Sequence, residues 1–191
     1  MKIGYQGVIG SNSEAASIQY VKKNNIICDL KTELLPLVDS QSCVNALKLK
    51  QVDFIVMAVK NSIAGTVIET QNAIKNENLQ IVDTIILPIH HCLFKKKGVK
   101  NDNIKVIASH IQALLQTKNS RNKLFPNAKE KEMRDTALSA KDLSEGMLDE
   151  THAVICRNNA GIFYNLELIK ENIEDFDNNQ TEFKVFKLLE K

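Results

Sequence analysis

The sequence predicts an α/β protein with largely parallel sheets. Strand-like and helix-like segments alternate along most of the chain, which is the order that builds parallel sheets from βαβ units. One strand-like segment, residues 52–59, has few polar residues, as expected for a strand with both faces covered. In addition, four predicted strands are followed by small or polar residues that open a helix; these strands end at Tyr5, Val59, Ala108 and Cys156.

The first half of the chain supplies a run of such alternating elements. Strands are predicted at residues 2–6, 26–30, 52–59 and 79–94. The last of these is long and broken by Pro88, so it is predicted to carry the backbone from one lobe into another. Helices are predicted after the cap Ser13, after a cap at Asp39 or Ser40 with the apolar stripe Cys43, Val44, Leu47 and Leu49, and after the turn at residues 60–65.

The second half repeats the alternation. Strands are predicted at residues 104–108, 129–134, 152–157 and 183–189. One helix is predicted to start with Ser109 as its cap, and a second covers residues 136–145. A third is predicted over residues 160–169, with Phe163, Leu166 and Ile169 facing inward.

Composition excludes several classes of protein. The 191 residues are 43% hydrophobic and 25% charged, which is typical of a globular protein of one domain or two small lobes. A net charge of +2 gives no general electrostatic case for nucleic-acid binding, and no apolar run approaches the roughly 18 residues of a membrane span. The N-terminus enters a strand directly, without the apolar core of a signal peptide, so we expect a cytoplasmic protein.

Four cysteines lie far apart among apolar neighbours and form no C-x-x-C pair; they are Cys28, Cys43, Cys92 and Cys156. Buried free thiols are therefore expected, rather than a disulfide or a metal-binding set. The acidic residues near the C-terminus also lack the pattern of a calcium loop, so no metal is predicted.

The segment at residues 172–183 concentrates acids, asparagines and a glutamine directly before an alternating strand. Thr181 is predicted at the mouth of that strand, where a β-branched side chain on a rigid backbone makes a well-positioned hydrogen-bond donor. The alternative is a solvated strand cap without a chemical role.

The helix-opening turns suggest the kind of ligand. Helix N-termini present free N–H groups and positive dipole ends, and ligands of parallel α/β sheets bind beyond the carboxyl ends of the strands. A carboxylate substrate fits that arrangement. Gly4, Gly7 and Gly10 form neither a Walker nor a dinucleotide-binding pattern.

Five short segments form an ordered set across the chain. They are YQGVIGSNSEAA at residues 5–16, KNSIAG at 60–65, LPIHHCL at 87–93, SHIQAL at 109–114 and IED…NQTEF at 173–183. Together they resemble the motifs of the prephenate dehydratase family, which includes arogenate dehydratases. Their order and spacing hold from residue 3 to residue 186.

The resemblance implies two α/β lobes of the periplasmic-binding-protein type II kind, with the active site in the cleft between them. Lobe one would comprise residues 1–80 and 150–191, and lobe two residues 81–149. The implied reaction removes CO2 and water from prephenate to give phenylpyruvate in phenylalanine biosynthesis, without a cofactor; arogenate is the alternative substrate.

The resemblance also assigns roles to individual residues. Thr181 would be the catalytic residue that protonates the departing ring hydroxyl. The residues implied to bind substrate are Ser11, Asn61, Ser62, Ser109 and Gln112.

Two positions depart from the family pattern with opposite changes of charge. Lys60 stands where the family has Glu, and Glu182 stands where it has Arg. One hypothesis is that Lys60 and Glu182 face each other as a reversed ion pair that keeps the architecture. The other is that the electrostatic field of the site, and with it the substrate, has changed.

Other candidates have simpler interpretations. One of His90 and His91 is predicted to be a satisfied core histidine, and His152 to lie on the surface. Arg157 either binds a carboxylate or forms a surface ion pair. Of the acids at residues 171–177, only Asp175 is expected not to be merely solvated.

The sequence therefore predicts a stand-alone prephenate or arogenate dehydratase, a lyase that acts as a cytoplasmic homodimer. The chain ends soon after its last strand, so a regulatory ACT domain is not expected. Two alternatives stay open: a carboxylate-binding relic without catalysis, and a prephenate-consuming enzyme that decarboxylates without aromatising.

Overall fold

The computed structural model describes residues 1–24 and 32–189, which divide into two compact units. Unit 1 contains the described residues of Met1–Val8, Asn12–Pro88 and Asn178–Lys191, and unit 2 contains Ile9–Ser11 and Ile89–Asp177. The strand predicted at residues 26–30 lies outside the described residues.

Unit 1 is built on one sheet with the strand order β2-β1-β3-β11-β5. Its strands are β1 (Lys2–Tyr5), β2 (Glu33–Pro36), β3 (Phe54–Asn61), β5 (Leu79–Pro88) and β11 (Gln180–Leu188), and the two-residue β4 (Gly65–Thr66) pairs with β3. Strand β1 is parallel to β2 and β3, whereas β11 runs antiparallel between β3 and β5. The C-terminal strand is therefore inserted into the middle of the sheet, beside the end of β3.

Among the described residues of unit 1, the helices that cover this sheet are α1 (Asn12–Lys23), α2 (Ser40–Lys48) and α3 (Ile68–Ile74). The core beneath α2 and α3 includes Leu47, Ile55, Met57 and Phe186, all nearly inaccessible. Ile55 and Met57 lie on β3, in the interior of the sheet, and this burial explains why residues 52–59 contain so few polar residues, as predicted.

Unit 2 is built on a second sheet with the order β10-β6-β9-β7-β8. Its strands are β6 (Cys92–Lys95), β7 (Val106–His110), β8 (Lys129–Met133), β9 (His152–Cys156) and β10 (Glu167–Lys170). Strand β7 is parallel to β8 and β9, and β6 is antiparallel to β9 and β10. Edge strand β8 is mostly charged and exposed, which discourages pairing with another chain.

The helices of unit 2 are α4 (Ile111–Gln116), α5 (Lys118–Leu124), α6 (Thr136–Glu145) and α7 (Asn158–Phe163), with a 3₁₀ turn at Asn101–Asn103. Its core includes Leu93, Ile107, Leu114 and Ile155. None of the helices in the described part of the chain is long and apolar enough to cross a membrane.

Several predictions were right. The two-unit α/β organisation is confirmed, and the segment around Pro88 does carry the chain from the sheet of unit 1 into that of unit 2. The N-cap of α2 is Asp39, whose carboxylate accepts a hydrogen bond from the Ser42 N–H. Helix α6 occupies the predicted residues.

The predicted lobe boundaries were wrong at three places: residues 81–88 belong to unit 1, and residues 9–11 and 150–177 belong to unit 2. The largest error concerns residues 150–177. This segment belongs to unit 2, because β9 pairs with β6 and β7 and β10 pairs with β6. Both sheets are also mixed rather than largely parallel, since β11 and β6 enter them antiparallel to their neighbours.

Some helices were predicted with the wrong bounds or the wrong caps. The helix predicted at residues 160–169 is the short α7 followed by β10, because Asn165 adopts a positive φ that ends helical continuation. Phe163 is consequently exposed rather than inward. Leu49 is also exposed, because it is the C-cap that follows the last residue of α2. The N-cap of α4 is His110 rather than Ser109, and Ser13 lies inside α1, which begins at Asn12.

Candidate active site

Asn61 and Thr181 are cross-strand neighbours on β3 and β11 in unit 1. Residues opposite each other on paired strands project from the same face, so the two side chains meet. The Asn61 amide Nδ2 donates to the Thr181 Oγ1 at 2.9 Å, to the Asn179 side-chain oxygen at 2.8 Å and to the Gln180 carbonyl at 3.0 Å. We refer to Asn61, Ser62, Asn179 and Thr181 as the Asn61 cluster.

The side-chain oxygen of Asn61 also has hydrogen-bond partners. It accepts hydrogen bonds from the backbone N–H groups of Ile63 and Ala64, in the turn between β3 and β4. These contacts fix the orientation of the amide, so Nδ2, rather than the oxygen, faces Thr181.

Thr181 is almost completely buried, with 8% of its surface exposed. On the side opposite Asn61 its strand neighbour is Leu87 of β5, which has no polar side-chain atom. Because the Thr181 oxygen accepts from Asn61, its own proton remains available, and none of the hydrogen bonds among the described residues uses it as a donor. The arrangement therefore produces a rigid hydroxyl whose proton is unused.

Ser62 fixes the backbone that leads into Thr181. Its Oγ donates to the Asn178 carbonyl and accepts from the Gln180 N–H, both at 2.9 Å, and its N–H donates to the Gln180 carbonyl at 2.8 Å. The neighbouring Asn179 side chain is 3% exposed. The prediction named Asn61 and Ser62 but not Asn179, although its place two residues before Thr181 in the final motif was a usable signal.

Lys60 and Glu182 are also direct cross-strand neighbours. Glu182 is adjacent to Thr181 in sequence, and successive strand side chains point to opposite faces, so the carboxylate projects away from the Thr181 hydroxyl. Its Oε1 lies 3.7 Å from the Nζ of Lys184, the next residue on its own face. Glu182 is thus flanked by two lysines.

In unit 2, Ser109 lies at the carboxyl end of β7 and is fully buried. Its Oγ donates to the Ile155 carbonyl of β9 at 2.6 Å. The proton of this hydroxyl is therefore used within the sheet, and only its lone pairs remain for a ligand.

Gln112 belongs to the first turn of α4, and its backbone N–H donates to the Nδ1 of His110 at 3.2 Å. The side chain is partly exposed, and its amide forms no hydrogen bond with the described residues. Of the predicted substrate-binding residues in unit 2, Gln112 thus has an unused amide.

Ser11 is 5% exposed and follows Gly10, which has a positive φ. A Cβ on Gly10 would lie 2.6 Å from the Cα of Ala160, so only glycine allows this turn to pack against α7. Arg157 precedes α7, and burial lowers its pKa. Ser11 and Arg157 therefore lie at the same end of β9 as Ser109.

The acidic segment before β11 is anchored in unit 2. The Asp175 carboxylate accepts from the Asn119 N–H, the Ser120 N–H and the Ser120 Oγ at the start of α5. Burial alone would raise the pKa of Asp175, but these hydrogen bonds outweigh it and lower the pKa. Asp175 is thus a structural anchor, and Ile173 beside it is buried in the core.

Glu174 was predicted to be solvated, and this was wrong. Its side chain is 11% exposed and accepts from the His90 Nδ1 at 2.7 Å and the His91 N–H at 2.9 Å. These contacts overcome the effect of burial and lower its pKa.

The histidine predictions were partly right. His91 is the core histidine, hydrogen-bonded to Gln116, and its pKa is lowered, mainly by burial. His152 is buried rather than on the surface, with its Nδ1 3.0 Å from Asp149. Within residues 1–24 and 32–189, no group of three or more His, Cys, Asp or Glu side chains is placed to hold a metal ion.

Comparison with known proteins covers nearly the whole chain. The family model for prephenate dehydratase matches residues 3–190. Arogenate dehydratase 5, chloroplastic, from Arabidopsis thaliana is 34% identical over 184 residues, covering 96% of this chain and 41% of the relative. The bifunctional chorismate mutase/prephenate dehydratase of Neisseria gonorrhoeae is 30% identical and covers 97% of this chain and 49% of the relative. This chain thus spans less than half the length of these relatives.

Solved structures show the same fold. A prephenate dehydratase from Arthrobacter aurescens, in complex with L-Phe, matches with a TM-score of 0.86 at 24% identity, covering 100% of this chain and 61% of that one. A nutrient-binding protein from Burkholderia cenocepacia bound to methionine matches with a TM-score of 0.54 at 16% identity, covering 98% and 84%. The predicted likeness to periplasmic binding proteins is thereby confirmed at the level of the fold. From the family match, which spans all but three of its 191 residues, the chain belongs to the prephenate dehydratase family.

Proposed function

We propose that this chain catalyses the decarboxylative dehydration of prephenate to phenylpyruvate, a step of phenylalanine biosynthesis, with arogenate as the alternative substrate. The observation that carries the proposal is the Thr181 hydroxyl, held by Asn61 and left with an unused proton. Family membership supports the same reaction.

The reaction needs an acid at one defined place. Loss of CO2 from the ring leaves an electron pair that moves through the ring and expels the hydroxyl on the opposite carbon. That hydroxyl leaves as water only if it takes up a proton, and Thr181 is the donor in this proposal. Aromatisation of the ring supplies the driving force, so no cofactor is needed.

The Asn61 amide contributes twice. Before the reaction it fixes the Thr181 oxygen, so the threonine proton points away from Asn61. As that proton leaves, negative charge develops on Oγ1, and a hydrogen bond to a developing anion strengthens. Asn61 and Ser62 therefore act by positioning Thr181, while Gln112, Ser109 and Ser11 remain the proposed contacts to substrate.

The proposal also includes a homodimer located in the cytoplasm. The buried, unpaired thiols of Cys43, Cys92 and Cys156 support a reducing compartment. Sedimentation of the purified protein tests the dimer.

The test is turnover of prephenate by purified protein, followed as phenylpyruvate, with arogenate assayed in parallel. Thr181→Val keeps the shape of the side chain but removes its hydroxyl, and we expect about 10²–10⁴-fold slower turnover. Thr181→Ser keeps the hydroxyl and should retain most activity. Thr84→Val, an exposed position on β5, makes the same chemical change away from the cluster and should have no effect.

Other outcomes identify the alternatives. A protein that turns over neither substrate but is thermally stabilised by prephenate would be a carboxylate-binding relic. Release of CO2 without phenylpyruvate would indicate a decarboxylase that does not aromatise its product. Equal activity of wild type and Thr181→Val would remove Thr181 from the mechanism.

A further inference from the structure

Cys92 and Cys156 are direct neighbours on adjacent antiparallel strands of unit 2. Cys92 opens β6, Cys156 closes β9, and the two residues are paired in the register of the strands. Opposite residues of antiparallel strands have Cα atoms about 4.5–5.5 Å apart, which falls within the roughly 4.4–6.8 Å range of disulfides. The fold thus gives the Cα atoms of Cys92 and Cys156 a spacing that disulfides use, and places both side chains on the same face of the sheet.

Both thiols are buried, with Cys92 2% exposed and Cys156 0% exposed. Burial raises both pKa values. At Cys92 the increase is opposed by a hydrogen bond from the Asn172 backbone and by the charge of Arg157, and is reinforced by the charges of Glu171 and Glu174; at Cys156 it is opposed by a hydrogen bond from the Gly161 backbone. A thiolate at Cys92 would in turn raise the pKa of Cys156, which shows that the two groups interact electrostatically. The pKa of Cys156 is raised more than that of Cys92, so Cys92 is the more easily ionised member of the pair.

The backbone of Asn172 covers Cys92, with which it forms a hydrogen bond. Asn172 adopts a positive φ, an uncommon conformation for a residue with a side chain, in an exposed stretch after β10. Because Ile173, Glu174 and Asp175 are held in unit 2, we expect only the exposed residues 170–172 to open; this would remove the Asn172 hydrogen bond and expose the Cys92 sulfur. Cys156 lies behind it, at the end of the central strand β9.

We propose that Cys92 and Cys156 form an oxidisable dithiol site, which closes to a cross-strand disulfide on reaction with a small-molecule disulfide. The Cys92 thiolate attacks one sulfur of the oxidant, forming a mixed disulfide and releasing one thiolate. The Cys156 thiol loses its proton to solvent and attacks the Cys92 sulfur, which releases the second thiolate. Two cysteine thiols become one disulfide, and one oxidant molecule becomes two thiols.

The test uses glutathione disulfide on the full chain carrying Cys28→Ser, followed by tryptic peptide mapping without reduction. Lys and Arg residues place Cys43, Cys92 and Cys156 on separate peptides. We expect one cross-linked pair, Cys92 with Cys156, the loss of two free thiols and full reversal by dithiothreitol. Cys43, which is buried in unit 1, stays a free thiol and serves as the internal control.

Single variants separate the role of Cys92, which attacks the oxidant, from that of Cys156, which closes the disulfide. With Cys156→Ser, oxidation should stop at a glutathione adduct on Cys92; with Cys92→Ser, Cys156 should remain a free thiol. Protein oxidised in urea should cross-link all three cysteines without preference. The proposal is wrong if native protein keeps both thiols under oxidation, or if wild type accumulates the adduct on Cys92 without closing the bond.

Discussion

The Asn61 cluster in unit 1 and the Ser109–Gln112 turn in unit 2 use the same kinds of residue in opposite ways. Thr181 accepts a hydrogen bond from a side chain and keeps its proton, whereas Ser109 gives its proton to the Ile155 carbonyl. The amide of Asn61 is fully occupied, whereas that of Gln112 has no partner among the described residues. A hydroxyl is available as an acid where its proton is not donated to a neighbouring acceptor, which is true of Thr181 and not of Ser109.

The two regions also differ in how they are built. Thr181 and Asn61 are 120 positions apart in sequence and meet because β11 is inserted beside β3. Ser109 and Gln112 belong to one strand-to-helix turn, with His110 as the cap between them. The first arrangement depends on the whole sheet of unit 1, and the second is mostly local.

Asn61→Asp should give the largest effect on activity after Thr181→Val. An aspartate oxygen can still accept from the Ile63 and Ala64 N–H groups, but its second oxygen would accept the Thr181 proton instead of donating to Thr181. We expect kcat to fall about 100-fold while the protein stays folded. Steady-state kinetics and circular dichroism measure both, and an Asn61→Asp protein with normal kcat would show that the direction of this hydrogen bond is irrelevant.

Ser109→Ala, in unit 2, should have the opposite balance of effects, with a larger loss of stability than of activity. It leaves the buried Ile155 carbonyl without the Ser109 donor, so we expect a loss of about 1–3 kcal/mol in the free energy of unfolding. Because the Ser109 proton is not offered to substrate, kcat should change much less than in Asn61→Asp. Urea denaturation gives the stability, and a variant that loses kcat without losing stability would reverse the comparison.

Asp175→Asn tests the anchor that precedes Asn179 and Thr181 of the Asn61 cluster in the chain. Loss of the charged acceptor at the start of α5 should cost about 1 kcal/mol at neutral pH. The pKa of Asp175 is lowered by folding, so its contribution is present above the unfolded value of about 3.9 and is lost as the pH falls through the folded pKa. The difference between variant and wild type in urea unfolding should therefore shrink on acidification; a constant difference would contradict it.

Gln112→Leu removes an amide that has no partner within the described residues, so stability should change by less than about 0.5 kcal/mol. If the amide binds substrate, KM should rise about fivefold, with a smaller change in kcat. Gln116→Leu is the contrasting variant, because the Gln116 side chain is hydrogen-bonded to buried His91 and its loss should reduce stability. Unchanged KM in Gln112→Leu would exclude a contact with substrate.

The sequence was most informative where a pattern is local. Periodicity and caps identified α6 and limited the cap of α2 to Asp39 or Ser40, and the apolar composition of residues 52–59 identified a covered strand. Prediction from the sequence failed where the pairing of distant strands decides to which sheet a segment belongs. The segment at residues 150–177 continues the β-α alternation, and nothing local shows that β9 pairs with β7 rather than with the sheet of unit 1.

In the candidate site, too, the residues within local motifs were predicted, whereas the contacts between distant segments were not. Motif positions led to Thr181, Asn61 and Ser62, but residue types alone could not show that the Asn61 amide is used up by protein contacts. Glu174 was misassigned for a related reason. Its acidic neighbours suggest a solvated run, and its partners His90 and His91 lie 84 and 83 positions away.

The smallest effects concern Lys60 and Glu182, whose charges are reversed relative to the family pattern. Glu182 projects away from Thr181 and lies between Lys60 across the strands and Lys184 on its own face. Glu182→Arg would place three cations side by side, and Lys60→Glu would place two carboxylates opposite each other, so each should cost about 0.5 kcal/mol of stability. The double variant restores opposite charges at positions 60 and 182.

A double-mutant cycle on the free energy of unfolding separates the interaction between positions 60 and 182 from the effects of the two single substitutions. If the two positions interact as cross-strand neighbours, the double variant should be more stable than the sum of the single losses predicts, by about 0.5 kcal/mol at low salt and less at high salt. All four proteins should turn over prephenate at similar rates, because neither charge is on the Thr181 face. Strict additivity would show that the reversal is not a compensating pair, and a rate that follows the charge at position 182 would instead place this residue in the electrostatic field of the site.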